Sequence, residues 1–249
     1  MNIIEIENLT HRFSDGTLGL DSINLTIREG EFVVIGGQNG SGKTTLLRHL
    51  NGLLLPSAGS IRLAGISVSK ALARARQMVG MVFQDTDSQI VGETVYDDVA
   101  FGPENLCLKP SDIKRRVSEA LNLVDLTHLE NQRPNVLSGG EKRRLVIAGI
   151  LAMEPRILAF DEPFSNLDYP GTKQVLKQIL TLHRAGHTIL IAVHNLQEVI
   201  AFADRLVLMK KGKVARDGLP YGLIGELEVF GIREPCPVRL EMEIQSWLS

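Results

Sequence analysis

Lys43 ends a run that carries almost no side chain: Gly36-Gly37-Gln38-Asn39-Gly40-Ser41-Gly42, then Lys43-Thr44-Thr45. Four glycines in seven residues let backbone N–H groups converge on a small anion, because no Cβ stands in the way. Gly37, Gly42, Lys43 and Thr44 fall on the template G-x-x-x-x-G-K-[ST]. That spacing suits the phosphates of a nucleotide such as ATP. The stretch Gly37 to Thr45 (Gln38, Asn39, Gly40, Ser41 and Gly42 included) would form the cradle. Lys43 would reach the β- and γ-phosphates, and the Thr44 hydroxyl would ligate Mg²⁺. The plain alternative is a glycine-rich turn without a ligand.

Other residues could complete such chemistry. Ile157-Leu158-Ala159-Phe160 is an apolar run that ends in Asp161-Glu162. At a strand end beside a phosphate loop, Asp161 suits the Mg²⁺ side. Successive strand residues point apart, so Glu162 can face the attacking water and position or deprotonate it. Leu137-Ser138-Gly139-Gly140-Glu141 opens a helix. Ser138 is a natural N-cap, and Glu141 stands where a capping box needs it. Two glycines beside that cap also leave a helix N-terminus open to a second phosphate. His194 follows the apolar run Ile189 to Val193 and can reach a γ-phosphate edge, although a lone histidine is more often a structural hydrogen-bonder. Gln84 closes Met81-Val82-Phe83 and can touch Mg²⁺ or water; otherwise it is a plain polar residue at a strand end.

These groups need elements to hold them. Glu31 to Ile35 reads as a buried strand, and Thr45 to Leu50 as a helix that stops at Gly52. Residues 3 to about 83 read as short strands and glycine turns with one helix. Residues 89 to 135 turn helical; Pro110-Ser111-Asp112 starts a helix in which Ile113, Val117, Ala120, Leu121 and Val124 share a face. A helix at about 141–153 comes next, then strands return at 157–160, 189–193 and 205–209, with a helix at about 171–185 between the first two. Strands alternating with helices predict a parallel α/β core, with the glycine loop at a strand's carboxyl end, where such folds bind ligands. The segment after about Gly222 is less regular.

The composition narrows the classes. Of 249 residues, 44% are hydrophobic and 22% charged, and the net charge is −2. The chain is globular, and its balance gives no electrostatic case for nucleic acid. Lys114-Arg115-Arg116 and the group Lys210, Lys211 and Lys213 read as solvated faces. Cys107 and Cys236 make neither a disulfide scaffold nor a metal motif, which predicts a reducing, cytosolic setting. Met1-Asn2-Ile3-Ile4-Glu5 has no signal-peptide pattern. The longest apolar runs fall far short of a membrane span.

In this order the pieces resemble the nucleotide-binding subunits of ATP-binding-cassette (ABC) transporters, over about residues 3 to 220. Walker A is Gly37 to Thr44, the Q-loop is at Gln84, and the signature is Leu137 to Glu141, with Glu for the usual Gln. Walker B ends at Asp161-Glu162, the D-loop is Ser165-Asn166-Leu167-Asp168, and the switch histidine is His194. Val82 to Ile90, continuing from Thr94 to Leu106, resembles more closely the ATPases of energy-coupling-factor (ECF) importers, including the cobalt and nickel type. Asp85-Thr86-Asp87-Ser88-Gln89 departs from that group's Asn-Pro-Asp-Asp-Gln. Phe230-Gly231-Ile232 with Pro235 and Val238 looks like its C-terminal extension.

The resemblance implies a P-loop NTPase fold with an antiparallel β subdomain and a helical signature subdomain inserted at about 89–145. It implies a cassette over 1–220 and a short extension over 221–249. It implies stacking of adenine on Phe13, for which the alternative is a buried strand aromatic. Two subunits, either two copies or paralogues, would pack head to tail. Ser138, Gly139, Gly140 and Glu141 would complete the partner's ATP site, and Asp168 would couple the two sites. ATP would close the dimer and hydrolysis reopen it. Glu162 would act on water, Lys43 and His194 on the γ-phosphate, and Thr44, Gln84 and Asp161 around Mg²⁺. The chain would sit peripherally on the cytoplasmic face, under a transmembrane scaffold subunit and a small substrate-capture membrane subunit. A conventional ABC importer or exporter is the alternative. A soluble ABC ATPase on DNA or ribosomes would usually carry two cassettes, long coiled-coil insertions or zinc modules, none of which these 249 residues show. A dinucleotide site does not explain Lys43 and Thr44.

Overall fold

The computed structural model describes residues 1–235 and residue 248. Cys236, Pro237 and Val238 lie outside the described residues. Two strands of 11 residues open the chain, Asn2–Arg12 (β1) and Leu18–Arg28 (β2). Their apolar residues alternate, so Ile4, Ile6, Leu9, Leu20, Ile23, Leu25 and Ile27 point to one buried face. Phe32–Gly36 (β3) leads through the glycine loop into Lys43–Leu50 (α1). Ala58–Leu63 (β4) and Ile66–Ser67 (β5) follow, then Leu72–Met78 (α2) and Val79–Val82 (β6). Three helices come next: Val95–Asn105 (α3), Pro110–Leu123 (α4) and Gly139–Leu151 (α5). Ile157–Asp161 (β7), Tyr169–Arg184 (α6) and Thr188–Val193 (β8) return to the sheet. The hairpin Arg205–Lys210 (β9) and Lys213–Gly218 (β10) ends it.

The strands form two sheets. One is antiparallel in the order β2-β1-β4-β5; the other runs β10-β9-β3-β8-β7-β6. In the second, β3 pairs parallel with β8 and β9, and β7 with β6 and β8, while β10 is an antiparallel edge. Both faces of this sheet are covered, so its central strands are apolar without alternation. Phe32, Val34, Leu158, Phe160, Ile189 and Ile191 face the core shared with α4, α5 and α6. Val33, Ile35, Ile157, Ala159, Leu190 and Ala192 face the core shared with β1, β2 and α1. Each fully buried Val, Ile or Phe stabilises the fold by about 1.5–3 kcal/mol relative to exposure. β3 is therefore clamped between two cores, and the loop at its carboxyl end starts from fixed backbone.

Four features depart from what the sequence implies. First, α2 is a second helix before Phe83. Leu72–Met78 carries no capping side chain and buries only Ala75, so seven residues give no periodic signal. Second, β1 and β2 are long, not short; register shifts between Ile6 and Leu9 and beyond bend them. Third, α5 and α6 begin two residues earlier than expected, at the residues following their caps Ser138 and Asp168. Fourth, the basic clusters are not wholly solvated. Arg116 is largely buried, donates to the Ala152 carbonyl and pairs with Glu154 at 2.6 Å; Lys210 donates to the Val229 carbonyl.

Candidate nucleotide site

The glycine loop leaves β3 and turns into α1 at Gly42, whose φ of 106° only glycine adopts without strain. A Cβ on Gly37 would lie 2.5 Å from Ser41 Oγ and 2.6 Å from the Met209 carbonyl oxygen. No side chain caps α1. Its first N–H groups therefore point into the cradle uncapped, with the positive end of the helix dipole behind them. Ser41 Oγ is buried and finds no hydrogen-bond partner among the described residues. A small anion with several acceptor oxygens would satisfy these donors together, so the loop fits a phosphate. Gln38, Asn39 and Gly40 form its exposed rim, and Thr45 lies in the first turn of α1.

Lys43 is buried in this cradle and donates to the carbonyls of Gly37 at 2.6 Å and Gln38 at 3.2 Å. Burial pushes its pKa down, and the Glu162 and Asp161 carboxylates push back. Thr44 Oγ1 donates to Asp161 Oδ1 at 3.0 Å. Burial holds the Asp161 carboxyl above its ordinary value, against the Thr44 hydrogen bond. Gln84, Thr44 and Asp161 line one cavity of about 580 Å³. A hydroxyl, a carboxylate and an amide carbonyl form a hard oxygen donor set, which fits Mg²⁺.

Glu162 takes the opposite direction from Asp161. Its φ is 50°, uncommon for a side chain other than glycine, and its N–H donates to the Ala192 carbonyl at 2.9 Å. That turn sets its carboxylate 2.9 Å from His194 Nδ1 and 4.0 Å from Lys43 Nζ. Lys43, Glu162 and His194 thus converge beside the loop. Phe13 is just past β1, 40% exposed and edge-on to His11, so it is not a buried strand aromatic.

The signature residues sit elsewhere. Ser138 Oγ accepts from Glu141 N–H, while Glu141 Oε2 accepts from the Ser138 N–H at 2.8 Å and hydroxyl at 2.7 Å. This capping box holds the Glu141 carboxyl below its ordinary range, chiefly through the Ser138 hydroxyl. Gly139 faces Leu167, and Gly140 brings α5 close to Gly171 of α6. Asp168 caps α6 by accepting from Gly171 N–H at 2.9 Å. Among the described residues, no hydrogen bond or ion pair joins Ser138, Gly139, Gly140 or Glu141 to the Lys43–Glu162–His194 group.

One residue escaped the sequence reading. Arg143, 3% exposed, donates to the carbonyls of Phe83 at 2.6 Å, Gln84 at 3.0 Å and Ser165 at 3.5 Å. It ties the signature helix to the loops at Gln84 and Asp168. A second arginine, Arg144, is spent on the carbonyls of Val124 and Asp125. Two adjacent arginines on an otherwise buried helix were the available signal, since a buried guanidinium must find acceptors.

The profile of the ABC transporter family matches residues 20–165. The energy-coupling factor transporter ATP-binding protein EcfA of Methanosarcina acetivorans is 42% identical over 98% of this chain and 90% of its own length. EcfA1 of Clostridium novyi is 40% identical over 98% of the chain and 91% of its own. The structure of cbiO1 from Clostridium perfringens, described as part of the ABC transporter complex cbiONQ, superposes with a TM-score of 0.83 at 38% identity, covering 92% of each chain. A dimeric ATP-binding cassette in a post-hydrolysis state with ADP and Pi superposes at 0.77, with 28% identity over 87% of this chain and 98% of that one. The chain belongs to the ABC transporter family, as an ATP- and Mg²⁺-binding ATPase of the energy-coupling-factor group.

Proposed function

We propose that the chain energises an importer of a metal ion, such as cobalt or nickel, or of a vitamin, through ATP-driven closure of a dimer of cassettes. The observation that carries this reading is the split between the two helix starts. Lys43, Glu162 and His194 meet at one, while Ser138, Gly139 and Gly140 open another and touch none of them. A single chain holds half of each site, so a second ATPase subunit, identical or paralogous, completes both. Names of the relatives support the energy-coupling-factor type. No helix among the described residues is long and apolar enough to cross a membrane. On this reading a transmembrane scaffold subunit and a small substrate-capture membrane subunit carry the cargo, with this chain peripheral on the cytoplasmic face. The cassette would span 1–220, its helical insertion about 89–145, and the extension 221–249.

The residues divide the work. Gly37 to Thr45 hold the phosphates, and Phe13 stacks the base. Mg²⁺, when bound, neutralises charge developing on the phosphate oxygens; Thr44, Asp161 and Gln84 would hold it. Glu162 orients and deprotonates the attacking water, with His194 fixing its carboxylate and facing the γ-phosphate. Lys43 stabilises the same phosphate. Ser138, Gly139, Gly140 and Glu141 close on the partner's nucleotide, and Asp168 carries the message between sites.

Glu162→Gln tests this. The amide keeps the shape but cannot take a proton. Hydrolysis should fall by about 10²–10³-fold while ATP binding persists and an ATP-bound dimer accumulates on a sizing column. Near wild-type hydrolysis would remove Glu162 from the chemistry.

A further inference from the structure

The segment after the last strand does not end as a loose tail. Pro220–Leu223 (α7) and the turn Ile224–Phe230 bring Gly231 and Ile232 back over the phosphate loop. Gly231 has φ 65°, and a Cβ placed on it would fall inside the Gln38 side-chain amide, with even Gln38 Cγ only 2.6 Å away. Ile232 is 1% exposed and packs with Leu196 and Leu208 against Gly36, the last residue of β3. The segment is anchored from the side. Lys210 Nζ donates to the Val229 carbonyl at 2.9 Å, the Phe230 ring lies under Lys210 and Arg216, and Arg216 pairs with Glu226 at 2.7 Å. The β9–β10 hairpin reaches the loop as well, where Gly212 N–H donates to the Ser41 carbonyl at 2.9 Å.

We propose that Phe230-Gly231-Ile232 is a positioning element of the ATP site, which fixes the pose of Gln38 and, through the Gln38 carbonyl, of Lys43. The chain of contacts is short. Gly231 meets the Gln38 side chain, and Gln38 offers its carbonyl to Lys43 Nζ at 3.2 Å. Glycine at 231 serves two ends: it takes the left-handed turn and leaves room for the amide. Any side chain there must displace the Gln38 amide, and where that displacement reaches the Gln38 backbone the cradle shifts and its phosphate contacts weaken together. Events at the C-terminal extension would thereby reach nucleotide affinity directly.

The inference rests on the phosphate-loop reading above, and the test separates the two. ATP binding to the purified full chain is measured with Mg²⁺ by titration calorimetry, and hydrolysis in its assembled complex as a function of ATP. Gly231→Ala should raise the ATP needed for half-saturation by about tenfold and change kcat less than twofold. Gly231→Asn, which tolerates the left-handed backbone, should do the same. In a Gln38→Ala background, where no amide meets the new side chain, either substitution should shift affinity less than about twofold. Equal shifts in both backgrounds would reduce Gly231 to a general stability role and overturn the proposal. Unchanged affinity in both would overturn it too. Should neither Gly231 variant fold in the Gln38 background, Ile232→Ala with and without Gln38→Ala decides: weaker ATP binding only where Gln38 is present supports the proposal, equal or no weakening rejects it. If the unaltered chain binds no ATP, the site reading itself fails.

Discussion

Two helix starts in this molecule do opposite things with the same backbone problem. Each helix opens with unpaired N–H groups. At α1 the preceding residue is Gly42, no side chain caps the helix, and no acidic residue stands in its first turn. At α5 Ser138 and Glu141 cap each other's backbone reciprocally, and Glu141 adds a negative charge at the positive end of the dipole. The first start is left open by its own chain and asks for an anion. The second is already satisfied within the chain, so a phosphate arriving there competes with a cap. The loop before α1 is thus open to an anion on its own, while on the function proposed above the signature would join a site that another subunit has begun.

The sharpest way to break that contrast is at Lys43. Lys43→Met removes a buried ammonium from the open cradle, one that faces both Glu162 and Asp161. Hydrolysis should fall by more than about 100-fold, and ATP affinity of the isolated chain should drop with it. An isolated chain that binds ATP as well as wild type would mean that backbone N–H groups alone hold the phosphates.

The contrast also explains what was legible in the sequence. The open cradle is written in consecutive residues: glycines, one lysine and two threonines between an apolar strand and a helix. That Asp161, Glu162 and His194 lie near the loop could be read from strand ends, because a parallel sheet brings its carboxyl ends together; the contacts of Thr44 with Asp161 and of Glu162 with His194 could not. What could not be read depends on partners distant in sequence. Arg143 reaches the carbonyls of Phe83, Gln84 and Ser165, and backbone acceptors leave no mark in side-chain pattern. Gly231 could be picked out as part of the extension, but its seat against Gln38, almost 200 residues earlier, follows from how the hairpin turns. The φ of 50° at Glu162 is another tertiary imposition, and it sharpens the divergence from Asp161 that strand alternation only suggested. α2 failed for a different reason: seven residues give too few turns for a pattern to rise above chance.

At the signature, cap and phosphate contact can be separated. Ser138→Asp keeps an oxygen that accepts from the Glu141 N–H, and aspartate is as good an N-cap as serine, although it gives up the hydroxyl that donates to Glu141 Oε2. It also places a second carboxylate where the partner's phosphate would arrive. The variant should melt within about 4 °C of wild type and its isolated chain should bind ATP normally. Hydrolysis should fall by about 10–100-fold, with loss of the ATP-bound dimer. Wild-type hydrolysis would confine Ser138 to capping. Equal loss of folding and hydrolysis would leave the two roles unseparated and argue that the cap alone is what function requires.

The smallest effect tests whether Glu141 matters as a charge or only as an acceptor. Glutamine can also close a capping box, so Glu141→Gln should change stability at pH 7 by less than about 0.5 kcal/mol and hydrolysis less than twofold. Acid should separate the two proteins. The Glu141 carboxyl sits below its ordinary value of 4.5 because the folded chain, chiefly the Ser138 hydroxyl, stabilises its charged form. A carboxylate depressed by folding contributes stability that is present above 4.5 and lost as pH falls through the folded value. Urea unfolding of both chains at pH 7 and below pH 4.5 should show the glutamate form losing ground to the glutamine form only in acid. Parallel curves would mean that the charge is held equally in the unfolded chain. The box would then act through hydrogen-bond geometry alone, and a glutamate at this position would be interchangeable with glutamine for the fold.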